Sequence, residues 1–116
     1  MREVLFAGIR WRGGVICQVD KVNLNEQAQL LPEAWRSVII AKPGGANLKV
    51  LRMGGSVLPD EMHDSAEALI VLDGELNLQV AGKTISIGPG EAFIVPPGQS
   101  HSVGPGSHGT LIIIDA

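Results

Sequence analysis

Apolar residues fall in short runs along this chain, and Gly or Pro closes most of them. The runs that read as strands are 3–8 (EVLFAG), 14–19 (GVICQV), 37–41 (SVIIA), 47–53 (NLKVLRM), 68–72 (ALIVL), 75–80 (ELNLQV), 83–87 (KTISI), 92–95 (AFIV), 101–103 (HSV) and 110–114 (TLIII). Val, Ile and Leu dominate several of them, as suits a pleated, half-buried surface. The run 75–80 alternates: Leu76, Leu78 and Val80 face one way, and Glu75, Asn77 and Gln79 the other. That is the signature of an antiparallel strand with one buried face.

The breaks carry turn chemistry. "AGK" is short enough to close a hairpin between 75–80 and 83–87. "SIGPGE" and "VPPGQSH" combine Pro, which presets φ, with Gly, which tolerates positive φ. Strands at this spacing, with turns between them, predict an all-β sandwich or barrel. The segment 23–36 (NLNEQAQLLPEAWR) is the exception. It is polar, with Leu30, Leu31 and Trp35 near helical spacing, and Pro32 interrupts it. It reads as a loop with one helical turn.

Length and charge narrow the class. A chain of 116 residues builds one sizeable core, so a single domain over 1–116 is expected. Nine basic against twelve acidic residues give a net charge of −3, spread along the chain. With only Phe6, Trp11, Trp35 and Phe93 as aromatics, this is not the footprint of a nucleic-acid binder. Cys17 is the single cysteine; it makes no intrachain disulfide and reads as a buried thiol. No apolar run approaches the roughly 18 residues of a membrane span, and the N-terminus lacks a signal-peptide pattern. A soluble cytoplasmic protein is the expectation.

Candidate chemistry concentrates in "PDEMHDSAEALIVLDG" (59–74). Glu61 and His63 are two apart and Glu67 keeps the same parity, so in extended chain all three leave one face. His101, just after the turn "PPGQS", can return beside His63 in an antiparallel barrel. Two imidazoles with one or two carboxylates make a mixed N/O site, suited to Mn, Fe, Ni, Co or Zn rather than Ca or Mg. The plainer alternative is a solvated strand edge, with His101 bonded to a backbone carbonyl. His108, in "PGSHGT", is expected to be exposed. The chain has no GxSxG, phosphate-cradling loop, HExxH or CxxC. Ser65, Ser100 and Ser102 lie near His residues without completing a triad.

These residues resemble the cupin superfamily of small β-barrels. The first cupin motif runs Gly, five residues, His-x-His, three or four residues, Glu, six residues, Gly. Here Gly55, Glu61, His63, Glu67 and Gly74 occupy those places. The second runs Gly, five residues, Pro-x-Gly, two residues, His, and is matched by Gly90, Pro96, Gly98 and His101. The match covers about 55–105, with residues 1–40 as additional strands and loop. Two places depart: Glu61 replaces the first His, and Pro105 stands where an Asn often ends the second motif.

The resemblance implies a jelly-roll, or double-stranded β-helix, barrel. It implies His63, Glu67 and His101 as three metal ligands, with Glu61 as a carboxylate fourth. Two carboxylates and two neutral imidazoles would balance a divalent ion. Three functions follow as open alternatives. They are a metal-dependent isomerase, dioxygenase or lyase acting on a small polar substrate, a non-catalytic sugar-like binding or sensing module, and a structural barrel with a vestigial site. The resemblance also implies a homodimer, in which runs 3–8 and 14–19 extend a partner sheet. Arg52 and Gln99 are expected, from position, as polar residues lining the barrel.

Overall fold

The computed structural model describes residues 21–116. Cys17 and the expected strands 3–8 and 14–19 lie outside the described residues. From residue 21 onward the order is α1 (Leu24–Leu30), β1 (Val38–Ala41), a short 3-10 turn, β2 (Asn47–Met53), β3 (Leu58–Glu61), β4 (Glu67–Val80), β5 (Lys83–Ile87), β6 (Ala92–Val95), β7 (His101–Val103) and β8 (His108–Asp115). The strands form an all-β jelly-roll, in line with the turn pattern, which predicted a sandwich or barrel, and with the resemblance, which implied this barrel type. All the pairings are antiparallel, in the order β1-β2-β8-β4-β7-β3, with β5 and β6 also pairing with β4.

β4 organises the barrel because it serves both walls. Its first half pairs with β6 and β8, and its second half with β5 and β7. The sequence suggested two strands here, 68–72 and 75–80; the structure shows one of 14 residues. The apparent break is a change of phase. Glu67, Leu69 and Val71 are buried in the first half, and Leu76, Leu78 and Val80 in the second. The register against β8 slips between Val71 and Asp73, so the inward face passes from odd to even positions. Gly74 sits opposite Gly109 at this crossing. Both have positive φ, and a Cβ on either would collide with the facing backbone carbonyl.

Burial follows the walls. Leu76 and Leu78 are almost fully buried, each worth about 1.5–3 kcal/mol of apolar transfer. The hairpin after β4 turns through Ala81 (φ 51°) and Gly82 (φ 77°), the two positive φ values of a type I′ turn. β3 was not anticipated. Its sequence, LPDE, is polar and carries Pro59, which only an edge strand accommodates, and β3 is the edge beside β7.

The segment 23–36 is more helical than its polarity suggested. Asn23 caps α1 by accepting from the Glu26 backbone N–H at 3.0 Å. The Asn-x-x-Glu spacing was the available signal. Ala28 is fully buried against β2, and Pro32 follows once the helix has ended. Arg52 closes the other end, donating to the Ala28 and Leu31 carbonyls at 3.2 and 2.6 Å. Arg52 therefore caps the helix rather than lining the barrel. Gln99 is displaced from its expected role too: its amide donates to the Ser100 carbonyl at 3.0 Å, beside a separate surface groove.

Candidate metal centre

The barrel encloses a cavity of about 440 Å³, with Glu61, His63, Glu67 and His101 all on its wall. Each reaches it from a different piece of backbone. Glu61 ends β3 and faces His101 of β7 in register. Glu67 opens β4. His63 lies in the connection between β3 and β4, where its carbonyl accepts the Gly98 N–H at 2.8 Å. The convergence expected from shared parity thus arises differently. The chain leaves β3 after Glu61 and bends through 62–66, and β4 then brings Glu67 back.

The contacts centre on the two imidazole Nε2 atoms. His101 Nε2 stands 3.1 Å from Glu67 Oε1, and His63 Nε2 stands 3.8 Å from the same oxygen. Glu61 Oε1 lies 3.2 Å from His63 Nε2, and the two rings are 5.8 Å apart between centroids. Burial divides the four. His101 and Glu67 have side-chain exposures of 6% and 9%, whereas His63 and Glu61 have 47% and 53%.

The chemistry of this donor set suits a cation. His101 Nδ1 sits 3.1 Å from the Gln99 carbonyl, which can only accept. Nδ1 therefore carries a proton, and Nε2 is the ring nitrogen that faces Glu67. A positive centre between this nitrogen and the carboxylate, a proton or a metal ion, favours so close an approach. Glu61, His63 and His101 could hold a metal ion, since each offers a ligand atom within 4.8 Å of the others. Ligand atoms around one ion at about 2.1 Å stand up to about 4.2 Å apart, so little movement closes the group.

His108 is exposed, as expected, and its Nδ1 faces the Gly106 carbonyl at 3.1 Å. Ser102 donates to Gln79 Oε1 at 3.1 Å. Sequence reasoning missed the other polar group on the cavity wall. Lys49 of β2 donates to Asp115 of β8 at 2.7 Å, and Asn47 donates to the second Asp115 oxygen at 2.9 Å. The signal in NLKVLRM was ambiguous because both faces of β2 are covered, one by the cavity wall and one by α1. Buried Val50 and Leu51 therefore sit on opposite faces of the strand.

A family model, the Cupin domain, matches residues 48–116. The chain belongs to this cupin family. Solved cupin structures share the fold. A cupin-2 domain protein from Shewanella frigidimarina superposes with a TM-score of 0.74 at 24% identity, covering 81% of this chain and 92% of that one. Protein NMB1881 from Neisseria meningitidis gives 0.71 at 24%, covering 83% and 98%. A protein from Rhizobium leguminosarum gives 0.68 at 20%, covering 84% and 96%. No curated protein matches the sequence. Within the cupin frame, Glu61 stands where the family's first motif places a histidine, and no helix among the described residues is long and apolar enough to cross a membrane.

Proposed function

We propose that this cupin holds one divalent transition metal through Glu61, His63, Glu67 and His101, and acts on a small molecule bound in the adjoining cavity. The observation that carries this reading is the meeting of both imidazole Nε2 atoms at a single buried carboxylate oxygen, Glu67 Oε1, on a cavity wall. Two imidazoles and two carboxylates suit Mn, Fe, Co, Ni or Zn. The ion would supply Lewis acidity at the cavity mouth. The residues themselves do the positioning. Gln99 orients His101, the Gly98 N–H anchors the backbone of His63, and Leu69, Leu76 and Leu78 keep the wall beneath dry. Isomerisation, oxygenation and elimination all use such a centre, so the reaction type is decided by assay.

Metal analysis of protein purified without chelator or affinity tag tests the reading. Near-stoichiometric metal that is lost in His63→Ala supports it. No metal after supplementation, with an unchanged melting temperature, overturns it. Metal without turnover on sugar-phosphates, diketones and oxo acids favours a binding or sensing role instead.

We also propose a homodimer. Ile94 of β6 and Ile114 of β8 are 59% and 36% exposed, and both register on Ala68 of β4, forming an apolar row across the outer face of the sheet. Light scattering that gives a monomer overturns this assembly.

A further inference from the structure

The second polar group on the cavity wall ties β2 to β8 but leaves part of its hydrogen-bonding capacity unused. Lys49 is buried, with 8% side-chain exposure, and an ammonium has three N–H donors. One donor goes to Asp115; among the described residues the other two have no acceptor. Both Asp115 oxygens are used, one accepting from Lys49 and the other from Asn47. The Lys49 ammonium therefore has donors to spare. A buried ion pair costs desolvation that its own attraction barely returns, so as a device for stability it is poor.

Its position relates it to the metal centre. Lys49, Asp115 and Glu67 belong to β2, β8 and β4, which are consecutive across the sheet. With strands about 4.8 Å apart, β2 lies about 10 Å from β4. A molecule of a few atoms' length spans that gap. The wall between is apolar, through Leu51, Leu69 and Ile113.

The charge balance restricts the molecule. Three carboxylates, Glu61, Glu67 and Asp115, face one ammonium in this cavity. A divalent ion brings the balance only to zero, so no net positive charge is left for an anion. We propose that Lys49 is the positioning residue for an uncharged carbonyl compound with an aliphatic or ring body, its oxygen accepting the free ammonium N–H groups. The inference rests on reading the cavity as a ligand site, as above, but does not require the metal.

The test uses a shape-matched pair of probes, cyclohexanecarboxamide and cyclohexanecarboxylate, titrated calorimetrically into the full chain with and without supplied Zn. The amide is expected to bind in both states and more tightly than the carboxylate. Lys49→Met is expected to weaken amide binding at least about tenfold while metal content stays at the wild-type level. Undetectable amide binding at millimolar concentration, tighter binding of the carboxylate, or indifference to Lys49→Met overturns the proposal. Failure of the metal reading alone appears as absent Zn uptake with amide binding intact. A double variant, Lys49→Met with Asp115→Leu, separates recognition from structure. It is expected to melt at or above the wild-type temperature while losing the amide. A large fall in melting temperature assigns the pair to structure and overturns the proposal.

Discussion

The candidate metal centre has two unlike halves. Glu67 and His101 sit in regular strands, are almost fully buried, and are held by ladder register and by the Gln99 carbonyl. Glu61 and His63 sit at the end of a short edge strand and in the connection after it, and are about half exposed. The buried half is a fixed platform whose geometry is inherited from the barrel. The exposed half is held by the register of Glu61 against His101, by one backbone hydrogen bond from Gly98 to His63, and by one contact between its own side chains. A site built this way keeps its position when the exposed half changes. That explains how Glu61 can stand where the family pattern has a histidine without disturbing the fold.

The comparison breaks most severely at the strand carrying the fixed half. Gly74→Val places a branched side chain against the His108 carbonyl where β4 and β8 cross. The expected cost exceeds about 4 kcal/mol, enough to lose the folded state in circular dichroism. Next come the proposed ligands, compared in pairs. His101→Ala is expected to lower metal affinity by at least about 100-fold in a chelator competition. It also destabilises by about 1–3 kcal/mol, because Glu67 loses its close partner in a buried setting. Glu61→Ala is expected to cost only about tenfold in affinity and to leave the melting temperature within a degree or two. Equal losses from the two variants would erase the distinction between the halves.

Gly98→Ala is a smaller probe of the exposed half alone. Gly98 has φ +78° with open space around its Cβ position, so the change strains backbone without a clash. It is expected to cost about 1 kcal/mol and to weaken metal binding a few-fold by loosening His63. The smallest effect lies outside the site, as a control. Ala81 occupies the first position of the type I′ hairpin turn at φ 51°. Ala81→Asn is expected to stabilise by about 0.5–1 kcal/mol in urea melts, with metal affinity unchanged.

Much of the barrel was legible because strand pattern and turn chemistry agree. The runs 47–53, 83–87, 92–95 and 101–103 are strands with those bounds. The misreadings have physical causes. A β-bulge shifts the inward face of β4 by one residue, so one strand resembles two. An edge strand needs neither apolar alternation nor a donor at every position, so LPDE carries no strand signature. Arg52 reads as a polar lining residue until the helix it caps is in place.

What the sequence determined by itself is what depends on local order along the chain. It specified an all-β chain, its turns, the cupin motif spacing, and the four residues Glu61, His63, Glu67 and His101 as the place to look. What only the tertiary structure decided is what depends on neighbours remote in sequence. It divided those four into a buried and an exposed pair, and it set Lys49 and Asp115, 66 residues apart, on the same cavity wall. The reason is that strand alternation assigns residues to two faces but does not say which face is the cavity. In β2 both faces are covered, and only the pairing of β2 with β8 settles where Lys49 points.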